Sequence, residues 1–308
     1  MSKGVCSVII PTFNRVEKCL RAIESCLKMC SYGYEIEVVV VDDGSTDNTK
    51  VKVEAIMDSR VRYYCQKNAG ASAARNLGVQ MSKGDFLFFL DSDDCFFKTR
   101  LKVVSEYHEF ICNGGIVFCK IGISHSGSSH SYDQVKPFFG YSGGDLSEYL
   151  FYKDGFISTP SIVLSKKSSD CVCWDESLSY GDDSDYMLAL YSLERKFKMV
   201  DEVLVWVDDS DVVDRLSLKS DPDAVLTWFN NNRGKMSRLA EVSYKSKHLS
   251  YHLFSINPFL SIYYLLCGLF FRVYGVTGFL KYFLRALFSA RLYKRLVKFV
   301  LSVKRIQD

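Results

Sequence analysis

Apolar residues in the first third of the chain fall in short unbroken runs, each closed by a polar cluster. Residues 5–10 end at Pro11-Thr12-Phe13-Asn14, residues 36–41 at Asp42-Asp43-Gly44, and residues 86–90 at Asp91-Ser92-Asp93-Asp94. A fourth run, 61–65, leads into Asn68-Ala69-Gly70. Val-, Ile- and Phe-rich runs of this length, bounded by turn residues, predict strands buried on both faces. Between them Leu20, Ile23 and Leu27 recur at helical spacing, and residues 68–78 predict a helix rich in small residues that lies close to the sheet. Gly44 permits a turn, and Ser45 or Thr46 can cap the helix after it. Further on, Leu101, Val104 and Phe110 mark a helix over 98–112 and residues 116–123 another strand. The polar stretch 124–144 reads as a loop, and residues 157–165 as an edge strand. Strands alternating with helices predict a doubly wound α/β fold, a mixed, mainly parallel sheet flanked by helices.

In such a sheet the carboxyl ends of the strands share one edge, where ligands bind. Three carboxylates at the end of the 86–90 strand cannot be buried unpaired and call for a cation. A hard divalent ion, Mg²⁺ or Mn²⁺, takes oxygen ligands and brings phosphate with it. An acidic turn that caps the next helix is the alternative, but it accounts for one polar cluster and not for three on one edge. A second acidic group, Asp182-Asp183, opens an apparent helix, where the helix dipole alone favours it. His125 and His130 in the 124–144 loop read as solvated side chains rather than ligands.

The charge is uneven. Residues 242–307 hold eleven Lys and Arg and no Asp or Glu, leaving residues 1–241 with 28 basic against 35 acidic residues, a net of −7. Residues 254–271 carry no charge but are interrupted by Asn257-Pro258, short of the about twenty apolar residues a span needs. With basic residues on both sides, a helix lying in the interface fits better than a span. Over 291–301, Arg291, Lys294, Arg295 and Lys298 share one helical face opposite Leu292, Leu296, Val297 and Val300. An anionic membrane surface is the expected partner. Nucleic acid is not, because the aromatic residues sit in apolar runs rather than as a stacking platform. The eleven cysteines form no C-x-x-C pair and read as reduced thiols of a cytoplasmic protein.

Val8-Ile9-Ile10-Pro11-Thr12-Phe13-Asn14-Arg15, Val39-Val40-Val41-Asp42-Asp43-Gly44-Ser45, Ala74-Arg75-Asn76-Leu77-Gly78 and Leu90-Asp91-Ser92-Asp93-Asp94 occur in the order and spacing of one family. Over about a hundred residues the chain resembles the family 2 glycosyltransferases of the GT-A fold. A Rossmann dehydrogenase would place G-x-G-x-x-G after the first strand, where this chain has Pro-Thr-Phe-Asn.

The resemblance implies a nucleotide-diphospho-sugar donor, with UDP as the nucleotide. It places Pro11, Phe13 and Asp43 at the base, Thr12 and Ser92 in the donor site, and Arg75 at the diphosphate, though Arg75 also reads as a surface arginine. Asp93 becomes the metal ligand, Asp91 its assistant, and Asp94 a helix cap. The base that activates the acceptor falls on Asp183, with Asp182 where Glu is more usual. The expected reaction is metal-dependent, inverting transfer to a glycan or polyprenyl-diphosphate-linked acceptor in bacterial surface polysaccharide synthesis, on the cytoplasmic face of the inner membrane. A membrane-bound sugar-nucleotide-binding protein without catalysis is the alternative. The expected division is a catalytic domain over 1–240 and a basic amphipathic helical membrane-associating region over 241–308.

Overall fold

The computed structural model describes residues 2–126, 131–210 and 221–288. Two compact units emerge, one built from the chain up to residue 146 with residues 155–218, the other from residues 147–154 with the chain from 219 onward. In the first unit the order is β1 (Val5–Thr12), α1 (Val16–Leu27), β2 (Glu35–Asp42), α2 (Thr49–Glu54), β3 (Val61–Cys65), α3 (Ala71–Met81), β4 (Phe86–Phe89) and β5 (Cys95–Phe96). There follow α4 (Lys102–Cys112), β6 (Ile116–Ser124), β7 (Gln134–Lys136), β8 (Ile162–Ser165), α5 (Lys166–Ser169), α6 (Asp182–Ser192) and β9 (Phe197–Asp208).

The strands form one mixed, mainly parallel sheet in the order β3-β2-β1-β4-β8-β6-β9-β5, with β7 on β6. β1 pairs in parallel with β2 and β4, β2 with β3, and β6 with β9, so six strands deliver their carboxyl ends to one edge. Their apolar runs are buried on both faces, which accounts for the absence of alternation: Val8, Ile9, Ile10, Val38, Val39, Val40, Phe88 and Phe89 have no exposed surface. α3 lies as close to the sheet as its small residues allow. A Cβ on Gly78 would fall 2.3 Å from Ile9 Cγ2, so only glycine fits.

Three local expectations need correction. Residues 157–165 do not form an edge strand: Thr159–Ser161 is a 3-10 turn, and β8 after it is interior, antiparallel to β4 on one side and β6 on the other. Pro160 has no N–H to give a ladder, so it sits in the turn, and the strand starts behind it. Within the 124–144 segment, β7 pairs antiparallel with β6. Helix α2 is not capped by Ser45 or Thr46 but begins at Thr49, whose N–H and hydroxyl both donate to Asp47 Oδ1, at 3.0 and 2.5 Å.

The turn before β8 is fixed from below by Arg100, which is fully buried. Its Nη2 donates to the carbonyls of Pro160, Ser161 and Ile162 at 3.3, 2.8 and 2.9 Å, while the guanidinium lies over the Phe88 and Phe96 rings.

The second unit is helical: α7 (Pro222–Asn232), α8 (Arg238–Tyr244), α9 (Ser250–Leu253), α10 (Pro258–Phe270) and α11 (Val276–Leu287). Asp221 and Ser237 cap α7 and α8 through the N–H groups of Asp223 and Ala240. Its core stacks Tyr244 on Phe229 and sets Phe151 edge-on to Trp228 and Tyr244. Lys247 is buried and satisfied by Asp154 Oδ1 at 2.8 Å and the Tyr152 carbonyl at 2.7 Å. Asn257 caps α10 by accepting from Leu260 N–H, with Pro258 in the first turn. Among the described residues no helix is long and apolar enough to cross a membrane. The 291–301 amphipathic segment and His130 lie outside the described residues.

Candidate active site

The parallel register levels the strand ends: Pro11 faces Val41 and Thr12 faces Asp42, and Asp43 N–H donates to the Thr12 carbonyl at 2.9 Å. Asp42 is turned into the structure, accepting from Ser45 N–H and Tyr63 OH, both at 2.7 Å. Asp43 is buried and gathers the next connection, accepting from Gln66 Nε2 at 2.7 Å and from Ala69 and Gly70 N–H, both at 2.8 Å. Gly70 supplies a φ of 96° there. A carboxylate offers about four acceptor directions, so one on Oδ2 stays available to a ligand N–H. Pro11, Thr12 and Ser92 are buried beside this edge, and Phe13 is 44% exposed at its rim.

Arg75 joins the two acidic clusters. It is not a surface arginine: α3 carries it into the site, 5% exposed, where Nη2 pairs with Asp91 Oδ1 at 2.9 Å and Nη1 with Asp182 Oδ2 at 2.8 Å. Its guanidinium lies 4.7 Å from the Trp174 ring centroid, and Trp174 in turn stacks on Tyr186 at 4.1 Å. Asn76, one residue along α3, ties down this segment through Trp174 N–H and carbonyl, both at 2.9 Å.

Gly181, with φ 72°, turns the chain so that Asp182 and Asp183 open α6. Both Asp183 oxygens face Thr159: Oδ1 accepts from its hydroxyl, Oδ2 from its N–H at 3.4 Å. Burial, with the Asp182 carboxylate next, pushes the Asp183 carboxyl up to about 7, against the opposing pull of Arg75 and the Thr159 hydroxyl. Of the two acidic residues, Asp182 is bound to Arg75 and Asp183 to Thr159.

Asp93 pairs with Arg15 Nη1 at 2.7 Å, and burial together with Asp91 raises its carboxyl above the usual range. Asp94 does not cap a helix, since α4 starts only at Lys102. It is buried, accepts from Asp208 N–H at 3.2 Å, and is driven well above the carboxylate range by burial, with Asp93 and Asp91 adding to it. Asp208 itself binds Arg21 at 3.1 Å, which also donates to the Asp93 carbonyl.

Among the described residues no three His, Cys, Asp or Glu side chains group to hold an ion unaided. A Mg²⁺-type ion needs only one or two carboxylates when substrate phosphates complete its shell. Asp91 and Asp93 would suit that partial donor set: both are oxygen donors at one strand end, and the Asp91 charge adds to the burial that raises the Asp93 carboxyl. His125 belongs elsewhere, bridging Asp133 at 2.5 Å and Asp209 at 3.3 Å.

Arg15, Thr159 and Trp174 were not singled out as site residues by the sequence. For Thr159 the one local sign is Ser158-Thr159-Pro160, which favours a turn over a strand.

Known proteins bear on this site at three levels. An amylovoran biosynthesis glycosyltransferase, AmsB of Erwinia amylovora, is 27% identical over 256 residues, covering 79% of this chain and 82% of AmsB. An uncharacterized glycosyltransferase of Rickettsia felis is 41% identical over 104 residues, 33% of this chain. The chain spans between 17% and 23% of the length of that protein and its Rickettsia counterparts. Among solved structures, S. aureus TarS 1-349 in complex with UDP-GlcNAc superposes with a TM-score of 0.59 at 20% identity, covering 83% of this chain and 73% of that one; at this identity the likeness concerns the fold. The model of glycosyl transferase family 2 matches residues 7–171, which hold the ends of β1, β2 and β4 and Arg75, Asp91 and Thr159. The chain belongs to glycosyl transferase family 2.

Proposed function

We propose that the chain is an inverting glycosyltransferase that moves a sugar from a UDP-sugar to a hydroxyl of a glycan or polyprenyl-diphosphate-linked acceptor, in bacterial surface polysaccharide synthesis. The carrying observation is that Arg75 ties the Asp91 strand end to Asp182, next to an Asp183 carboxyl raised to about 7. Donor and acceptor chemistry thereby share one place. The AmsB likeness supports the polysaccharide setting, and the fold shared with the UDP-GlcNAc complex of TarS supports the donor class.

In this reading Pro11, Thr12, Phe13 and Asp43 receive the nucleoside, with Asp43 Oδ2 accepting from the uracil N–H. Arg75 releases its carboxylates to meet the diphosphate, and Asp91 and Ser92 bound the ribose side. Asp183 accepts the proton of the acceptor hydroxyl as that oxygen bonds to the sugar C1 from the face opposite the nucleotide. The C1–O bond to UDP breaks, the electron pair leaves with the diphosphate, and one displacement inverts the anomeric centre. Asp93 with Asp91 would hold a Mg²⁺ or Mn²⁺ ion, which supplies charge neutralisation at the leaving diphosphate.

The catalytic domain is assigned to residues 1–240, and residues 241–308, with their basic excess, to attachment at an anionic membrane on the cytoplasmic side. The test is UDP release and product formation with a panel of UDP-sugars and lipid-linked acceptors. Turnover is expected with Mg²⁺ or Mn²⁺, to fall at least about a hundredfold in excess EDTA, and to return on adding the ion back. Full turnover in EDTA removes the metal from the scheme, and binding of UDP-sugars without turnover of any replaces transfer with sugar-nucleotide binding.

A further inference from the structure

Helix α10 is apolar on two sides. Ser261, Leu265 and Gly268 are buried in the second unit, yet the opposite side exposes Phe259 at 85%, Tyr263 at 59%, Leu266 at 50% and Phe270 at 81%. These four recur at i, i+4, i+7 and i+11 and form one stripe along the helix. The neighbouring α11 repeats the arrangement, with Leu280 and Leu284 exposed at i and i+4. The two helices are pinned by Tyr274, whose hydroxyl donates to the Leu265 carbonyl at 2.9 Å. Isolated exposed apolar residues are ordinary, but stripes on two adjacent helices mark a surface that is covered in use.

The geometry points to a lipid surface as the cover: the α10 and α11 stripes insert into the headgroup boundary of an anionic bilayer, with the helices lying in its plane. This rests on the membrane attachment proposed above and says which side chains enter the lipid. Thirteen residues make α10 about 20 Å long, too short for the roughly 30 Å hydrocarbon core, so it can lie in the interface but not span it. Aromatic rings among the exposed residues suit the headgroup level. Charge decides against a second copy of the chain as the occupant. Residues 242–307 contain no Asp or Glu, and Arg272 and Lys281 are exposed near the stripes, so a twofold dimer through this face would bring cations together. Anionic lipid satisfies both the apolar stripes and their basic flanks.

The test sediments the full chain with vesicles of phosphatidylglycerol and phosphatidylcholine, beside a variant carrying F259S, L266S and F270S. The wild type is expected to pellet with the vesicles and to keep part of its binding in high salt, since insertion is not screened. The triple variant is expected to partition on the order of a hundredfold more weakly. A triple variant that pellets as the wild type does overturns the stripe assignment and leaves basic-tail attachment standing. A wild type that pellets with no vesicle overturns both, and one that light scattering shows to be a dimer, broken by the triple variant, gives the face to a second copy. As a check independent of the variant's folding, Tyr263→Trp is expected to shift its emission to the blue and be quenched by brominated acyl chains; no change with bound vesicles overturns insertion.

Discussion

Asp183→Asn is expected to slow sugar transfer on the order of a thousandfold while leaving UDP binding in place. The amide keeps the shape of the side chain and can still accept from Thr159, but it cannot take the acceptor proton. The pH dependence carries the same assignment. Burial and Asp182 hold the Asp183 carboxyl near 7, so wild-type turnover should rise as pH climbs through that value and the base form appears. Thr159→Val removes a donor that favours the ionised form, and the rise should then move to higher pH.

Stability should run the other way. A carboxyl whose pKa is raised on folding binds its proton more tightly in the native state. Its contribution is full below the unfolded value and is lost as pH rises through the folded one. Asp183→Asn should therefore melt above the wild type at pH 8, with the gap closing toward pH 5, a combination that calorimetry and initial rates can read on one preparation. Normal turnover in a folded Asp183→Asn protein would sink the assignment and turn attention to Asp182.

Arg75→Ala is the second large effect. It leaves Asp91 and Asp182 without their counter-ion beside an already elevated Asp183, and breaking so buried a pair costs about 3 kcal/mol. Both carboxylates are about a third exposed, at 35%, which keeps the figure at the lower end of the range for buried pairs. Donor binding should be lost with it, because the guanidinium is also the group assigned to the diphosphate. Lysine keeps the charge but cannot reach two carboxylates from one planar fork, so Arg75→Lys should recover stability only in part. Adding Asp91→Asn and Asp182→Asn to Arg75→Ala should restore much of the stability and none of the activity. Denaturant unfolding and UDP titration calorimetry separate these outcomes, and UDP affinity unchanged in Arg75→Ala would take the diphosphate role from this residue.

The parallel half of the sheet was legible because strands buried on both faces write themselves as unbroken Val, Ile and Phe runs, and their polar ends share one edge. Gly44 and the small residues of α3 carried their geometry openly as well. What stayed hidden depends on partners far away along the chain. Asp94 reads as a cap from its position, but its partner is the Asp208 N–H, and only the folded sheet brings them together. The role of Thr159 is set by Asp183, and that of Arg75 by Asp182, neither within local reach of the other. The 157–165 segment misled because an apolar run beside a proline fits an edge strand, whereas the buried Arg100 folds the proline into a turn and frees the rest for the sheet interior.

The close approach of α3 to β1 at Gly78 and Ile9 makes one missing methyl group the ruler of how deep Arg75 reaches. Arg75 stands one helical turn before Gly78, so the depth to which its guanidinium projects over the strand ends is gauged by how far α3 sinks against β1. A side chain at position 78 would lift the helix as a shim lifts a hinge. The clearance between Arg75 and the Asp91 edge would then be recalibrated without any charged residue being touched. The setting of Arg75 over the strand ends is thus adjustable from the hidden side of α3.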